Sequence, residues 1–166
     1  GLIESGPLAP ERGVSLTNGA FARDPLGQGF DWRIPATEGV SVARGQEAGT
    51  LRVAFAGVQP VDCECLWQWV PVEPGRRYGL KFDYRTVEVV SPSGLRWRVE
   101  EAGSNAELAP RSPELGAETW RPAEAAFQTR PGTRLVRLVL GYRRVLGTTR
   151  IQGALWVRGL RLEMER

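Results

Sequence analysis

The chain has no histidine, and this absence narrows the chemistry more than any residue present. Imidazole is the usual general base near neutral pH and the commonest metal ligand. Ser-His-Asp and Cys-His catalysis are therefore excluded. Cysteine is almost as scarce, with only Cys63 and Cys65, and two thiolates with no further Cys or His cannot complete a zinc site. Lysine occurs once, at Lys81, so nearly all of the 22 basic residues are arginine. Against 19 acidic residues they leave a net charge of only +3, too modest for the basic footprint of a nucleic-acid binder. No apolar run reaches the length of a membrane span, so no membrane insertion of this segment is expected. Residues 1–13 lack the charged-then-apolar order of a signal peptide.

What the chain has in quantity is glycine and proline, 20 and 12 residues in a length of 166. That frequency implies many turns and few long helices. The stretch GLIESGPLAPERG (1–13) has no initiating Met and reads as a polar Pro/Gly linker. It predicts a chain cut from a larger protein, with other domains of that parent as partners and residues 14–166 as one folded domain. Period-two alternation then recurs. Strands are expected near 14–16, 30–34, 39–44, 50–56, 62–72, 77–87, 95–100, 120–128, 133–143 and 150–163. Only 104–119 has any helical pattern, and Pro110 and Pro113 forbid more than a turn. Strands at this spacing with no alternating helices imply an all-β, antiparallel two-sheet sandwich, closed as a jelly roll.

The densest part is 66–86, LWQWVPVEPGRRYGLKFDYRT. Leu66, Val70 and Val72 share one parity and Trp67 and Trp69 the other. If the first set builds the core, both indoles face away from it. They then either stack on a ligand or pack under a loop or partner domain, since exposed aromatics mark both kinds of surface. Trp97 alternates with Arg96 and Arg98 and is expected in the core with Leu95 and Val99. Trp156 is ambiguous because the last strand shifts parity near Gly159, as a bulge would.

Three pieces of sequence carry a resemblance. They are Asn18-Gly19-Ala20-Phe21, Gln68-x-Val70-x-Val72-x-Pro74-Gly75-x-x-Tyr78-x-Leu80, and Gly153-Ala154-Leu155-Trp156-Val157-x-x-Leu160-x-Leu162. Over residues 15–163 the chain resembles the galactose-binding-like jelly-roll superfamily, in particular carbohydrate-binding modules of the family 4, 9 and 22 type. It is also similar to accessory sandwich domains of bacterial proteins. The resemblance implies an extracellular or periplasmic site of action and a structural calcium held by two carboxylates. Ala22 and Arg158 stand at the matching positions, so neither carboxylate is present and no metal or other cofactor is expected.

A pyranose is apolar on its faces and polar at its edge, which suits aromatic rings set among amides and charges. On that basis the expected ligand-binding residues are Trp67 and Trp69, with Trp32, Gln68, Tyr84 and Arg85 beside them. No spacing singles out a catalytic pair among Asp31, Glu64, Asp83 and Glu100, so no enzymatic role is expected. Arginines on outward parities are interleaved with Glu64, Asp83, Glu88, Glu100 and Glu101, as cross-strand ion pairs would be. Cys63 and Cys65 lie two apart on a strand, about 6.6–6.8 Å between Cα atoms, with side chains running parallel. They read as two small half-buried residues rather than a disulfide. Two functions follow: a non-catalytic carbohydrate-binding module, with a glycan as partner, or an architectural sandwich that docks on the rest of its parent chain.

Overall fold

Eight antiparallel strands form two sheets in the computed structural model, which describes residues 16–165. The strands are β1 (Val40–Arg44), β2 (Thr50–Ala56), β3 (Asp62–Pro71), β4 (Arg77–Val87), β5 (Leu95–Glu101), β6 (Arg121–Gln128), β7 (Leu135–Arg143) and β8 (Gln152–Met164). One sheet runs β1-β2-β8-β4-β6 and the other β3-β7-β5. These are the strands that alternation marks, with ends shifted by a residue or two. No helix occurs among the described residues.

One expected strand is absent among the described residues, and another falls largely outside them. Of 14–16, residues 14 and 15 and the predicted linker lie outside the described residues, and Leu16 is in no strand. The 30–34 segment makes only an isolated bridge, with Arg33 N donating to Trp67 O (2.7 Å) and Trp67 N donating to Arg33 O (3.0 Å). It flanks the β3 edge. At the opposite edge, Leu108 N donates to Val99 O and Leu115 N to Leu95 O, so the Pro-containing segment lines β5. Both edges of the small sheet are thereby covered against pairing with another chain.

The core lies between the sheets. An aromatic chain, Phe21–Trp32–Trp97–Phe82–Tyr84, has successive ring centroids 5.9–6.1 Å apart. Trp97 is buried, as its parity predicts. Three expected ligand residues also belong to this interior. Trp32 is fully buried because the bridge at Arg33 turns it under β3, and its Nε1 donates to Asn18 O. Tyr84 keeps the inward parity of Tyr78, Leu80 and Phe82, and its hydroxyl accepts from Gly116 N. Gln68 is fully buried, with Oε1 accepting from Thr17 N (3.0 Å) and Nε2 donating to Thr17 O (2.9 Å). It clamps the segment before β1, and a buried amide needs such partners.

The parity shift in β8 is a bulge. Lys81 faces Arg161, but Asp83 faces Arg158, and Gly159 takes φ +64°. A second irregularity lies in β3 between Glu64 and Leu66, leaving Cys65 buried and Cys63 half-buried. The thiols are free and hydrogen-bonded to each other, which lowers the Cys63 pKa and, together with burial, raises that of Cys65 well above its ordinary value.

Candidate functional site

Each sheet turns an aromatic and charged face away from the core, and the two faces point in opposite directions. On the three-stranded sheet, register places Trp69, Arg137 and Glu100 in one row and Trp67, Val139 and Arg98 in the next. Trp67 and Trp69 meet edge to face, 5.5 Å apart and nearly perpendicular. Both are partly exposed on the parity opposite Leu66 and Val70. The Arg33 and Arg137 guanidinium groups lie 4.7 and 5.2 Å from the Trp67 ring centroid, within cation–π range. Val139 points outward yet is fully buried, because these large side chains roof it.

The charges on this face are paired. Arg137 donates to both oxygens of Glu64 (2.8 and 2.5 Å) and to Glu100 (2.6 Å). Arg98 approaches Glu64 (3.4 Å) and Glu100 (3.9 Å). The Glu64 contact, followed by that to Glu100, raises the Arg137 pKa above its ordinary value. These are the cross-strand pairs expected of the alternation. Beyond them the face opens into a groove of about 210 Å³ lined by Arg96, Arg98, Glu114, Gly141 and Arg143. Gly141 is part of its floor, since a Cβ there would come within 3.1 Å of the Arg98 guanidinium.

Of the expected ligand residues, therefore, only Trp67 and Trp69 come together on an outward face. Arg85 lies on the other sheet. There Arg52 faces Trp156, which faces Arg85, and Trp120 continues the row beside β6. Arg52 stands 5.6 Å from the Trp156 ring centroid, and Arg85 stands 5.5 Å from Trp156 and 5.6 Å from Trp120. Arg158 lies 3.9 Å over Trp120 and pairs with Asp83 (3.6 Å) and Glu47 (3.8 Å). Sequence reasoning missed Arg33 and this second cluster. The alternation of Asp31, Trp32 and Arg33 offered a signal for the first, but nothing local reveals which strands will be neighbours.

Every described group where the resemblance would place calcium meets a guanidinium instead. Arg44 donates to Ala22 O (3.0 Å) and to Asp24 (2.7 Å), while Arg158 takes Glu47 and Asp83. A hard cation needs several free oxygens at one point, and these residues do not fit one.

Comparison with solved structures places this architecture. The chain is similar to a CBM4 domain, with TM-score 0.65 and 14% identity over 91% of this chain and 100% of the other. The fold is a jelly roll of the carbohydrate-binding-module type. The jelly roll is also similar to the CBM22-1 xylan-binding domain of Paenibacillus barcinonensis Xyn10C (TM-score 0.52, 14% identity, 88% of this chain and 91% of the other). A third similar structure is the enzymatically active domain of bacteriophage CBA120 tailspike protein 4. There TM-score is 0.64 and identity 12%, over 95% of this chain but 22% of that one. No protein-family model matches the sequence, and no curated protein matches it.

Proposed function

We propose that this jelly roll is a non-catalytic carbohydrate-binding module of a larger protein, with a glycan lying across the outward face of the three-stranded sheet. The observation that carries the reading is the adjacency of Trp67 and Trp69 on that face, ringed by Arg98, Arg137, Glu64 and Glu100. Trp69 has no guanidinium over it among the described residues and is the stacking platform. Trp67, which already carries Arg33 and Arg137, fixes its orientation edge-on. The adjoining groove is smaller than the roughly 300–1,000 Å³ clefts that enclose small ligands, which suits one unit of a chain passing over an open surface. Around the two rings Arg98 and Arg137 are matched by Glu64 and Glu100, so the ligand class is a neutral linear polysaccharide, in keeping with the xylan-binding neighbour. Glycoside hydrolysis needs one carboxyl group to donate a proton and a second to attack or activate water. Here Glu64 and Glu100 are both occupied by arginines.

The test is affinity electrophoresis against xylan and neutral β-glucans. The native domain is retarded by at least one of them, and Trp69→Ala abolishes retardation while the melting temperature barely moves. Failure of the native domain to bind any neutral glycan would sink the reading. In that event the architectural alternative gains from a separate observation. Val58, Val61, Val90 and Leu146, all exposed, sit on three loops at one end of the sandwich, tied together by Arg144 N to Val61 O and Arg143 N to Gly94 O. An exposed apolar set of that kind suits docking on a neighbouring domain.

A further inference from the structure

The outward row of the five-stranded sheet alternates cation and ring across four neighbouring positions: Arg52, Trp156, Arg85, Trp120. Its arginines differ from Arg158, Arg161 and Lys81 on the same outward face. Arg158 has Asp83 and Glu47, and Arg161 and Lys81 have Glu163. Arg52 and Arg85 have no carboxylate and no hydrogen-bond acceptor among the described residues, only indole faces. Arg85 Nε is shielded from water and unpartnered. A guanidinium carries five donors in a rigid fork. Flanked by two rings, that of Arg85 is held in orientation before any ligand arrives, so little side-chain entropy is lost when an anion binds.

From this we infer a second glycan site on the five-stranded sheet, selective for linear acidic chains that carry a carboxylate on alternate sugars. The spacing supports alternation. Adjacent strands lie about 4.7–4.9 Å apart, so Arg52 and Arg85 sit two strand spacings from each other, as do Trp156 and Trp120. Two strand spacings are comparable to the disaccharide repeat of a linear glycan, so each repeat meets one free cation, with the edge of an indole beside it, the indole faces being taken by the guanidinium groups. Beside the row, Ser41, Ala54 and Ala154 stand in register and leave room for the chain. Single-stranded nucleic acid also stacks on aromatic rings, but it carries a charge on every nucleotide. Such a backbone would bring excess negative charge against Asp83 and Glu47. The inference concerns different residues from the neutral-glycan reading and does not depend on it.

The test is titration calorimetry of the whole chain with an octasaccharide alternating glucuronate and N-acetylglucosamine. Its carboxyl-reduced counterpart and a single-stranded oligothymidine serve as comparisons. The acidic octasaccharide binds, and carboxyl reduction weakens binding at least about tenfold, as loss of a charge-assisted contact does. Arg85→Gln and Arg52→Gln each lower affinity by a similar factor, and saturating neutral xylo-oligosaccharide does not compete. Should Arg85→Gln melt early, the exposed Arg52→Gln carries the test. Absence of binding, equal binding of the reduced chain, tighter binding of oligothymidine, competition by the neutral sugar, or an unaffected Arg52→Gln would each overturn the inference.

Discussion

On the outward face of the three-stranded sheet, Arg96, Arg98 and Arg137 each meet a carboxylate, whereas on that of the five-stranded sheet Arg52 and Arg85 meet only indoles. Both faces are built from arginine and tryptophan. What separates them is which residue stands on the adjacent strand. β3 and β5 bring Glu64 and Glu100 to the sides of Arg137, while β8 brings Trp156 between Arg52 and Arg85. The first arrangement cancels charge and leaves a neutral, hydrogen-bonding surface. The second keeps charge available.

The largest effect expected is on neither face. Trp97→Ala or Trp32→Ala removes a fully buried indole and should destabilise the fold by about 3–5 kcal/mol, read from denaturant midpoints. Trp67→Ala and Trp69→Ala should each lower stability by about 1 kcal/mol, the value of an aromatic pair beyond its burial. A severe loss at both outward positions would erase the distinction between face and core. Arg137→Ala falls between these and the core indoles. It strips Glu64 and Glu100 of the nearer of their two shared partners at a partly buried site and should destabilise by about 1–2 kcal/mol. Arg52→Ala on the other sheet, losing one exposed stacking contact, should be within about 0.5 kcal/mol of the native domain. Equal losses would mean that the ion-pair network does not distinguish the two faces.

A smaller effect should appear on acidification. Glu101 accepts from the Thr133 and Ser104 hydroxyls, which hold its carboxyl below the usual range, with Arg130 adding to the effect. Glu163 is likewise lowered by Lys81. A carboxyl whose folded pKa is depressed contributes stability that is present above its unfolded pKa and lost as pH falls through the folded value. Melting temperature should therefore fall on the acid side, and Glu101→Gln should flatten that limb. An unchanged limb would refute the assignment. The smallest effect concerns calcium. Neither chelator nor added calcium should shift the melting temperature, since an ion bound only to the folded state would raise it by mass action. A calcium-dependent rise would show that other oxygens replace Ala22 and Arg158.

How much of this was legible in the residues depends on range. Strands β1 to β8 follow from period-two alternation and Pro/Gly punctuation, because a strand half buried in a sandwich must alternate. The outward parity of Trp67 and Trp69 and the bulge near Gly159 follow from the same local rule. Alternation alone could place neither Trp32 nor the partner of Gln68. Trp32 lies in no strand and is turned inward by the Arg33 bridge. Gln68 is polar on an inward parity, and only the long-range pairing with Thr17 explains it. Tyr84 shared the parity of Tyr78, Leu80 and Phe82, so its burial could have been read from the sequence.

The sequence by itself determined the all-β class, the strand positions and the absence of histidine chemistry, since these depend on residue type and local periodicity. Only the tertiary structure decided that Arg85 and the Trp67–Trp69 pair lie on opposite faces, that Trp120 and Trp156 share a row, and that Arg137 bridges two glutamates. Each of those relations is set by strand order and register. Neighbours in these sheets are far apart in the chain, so no local pattern records which of them will meet.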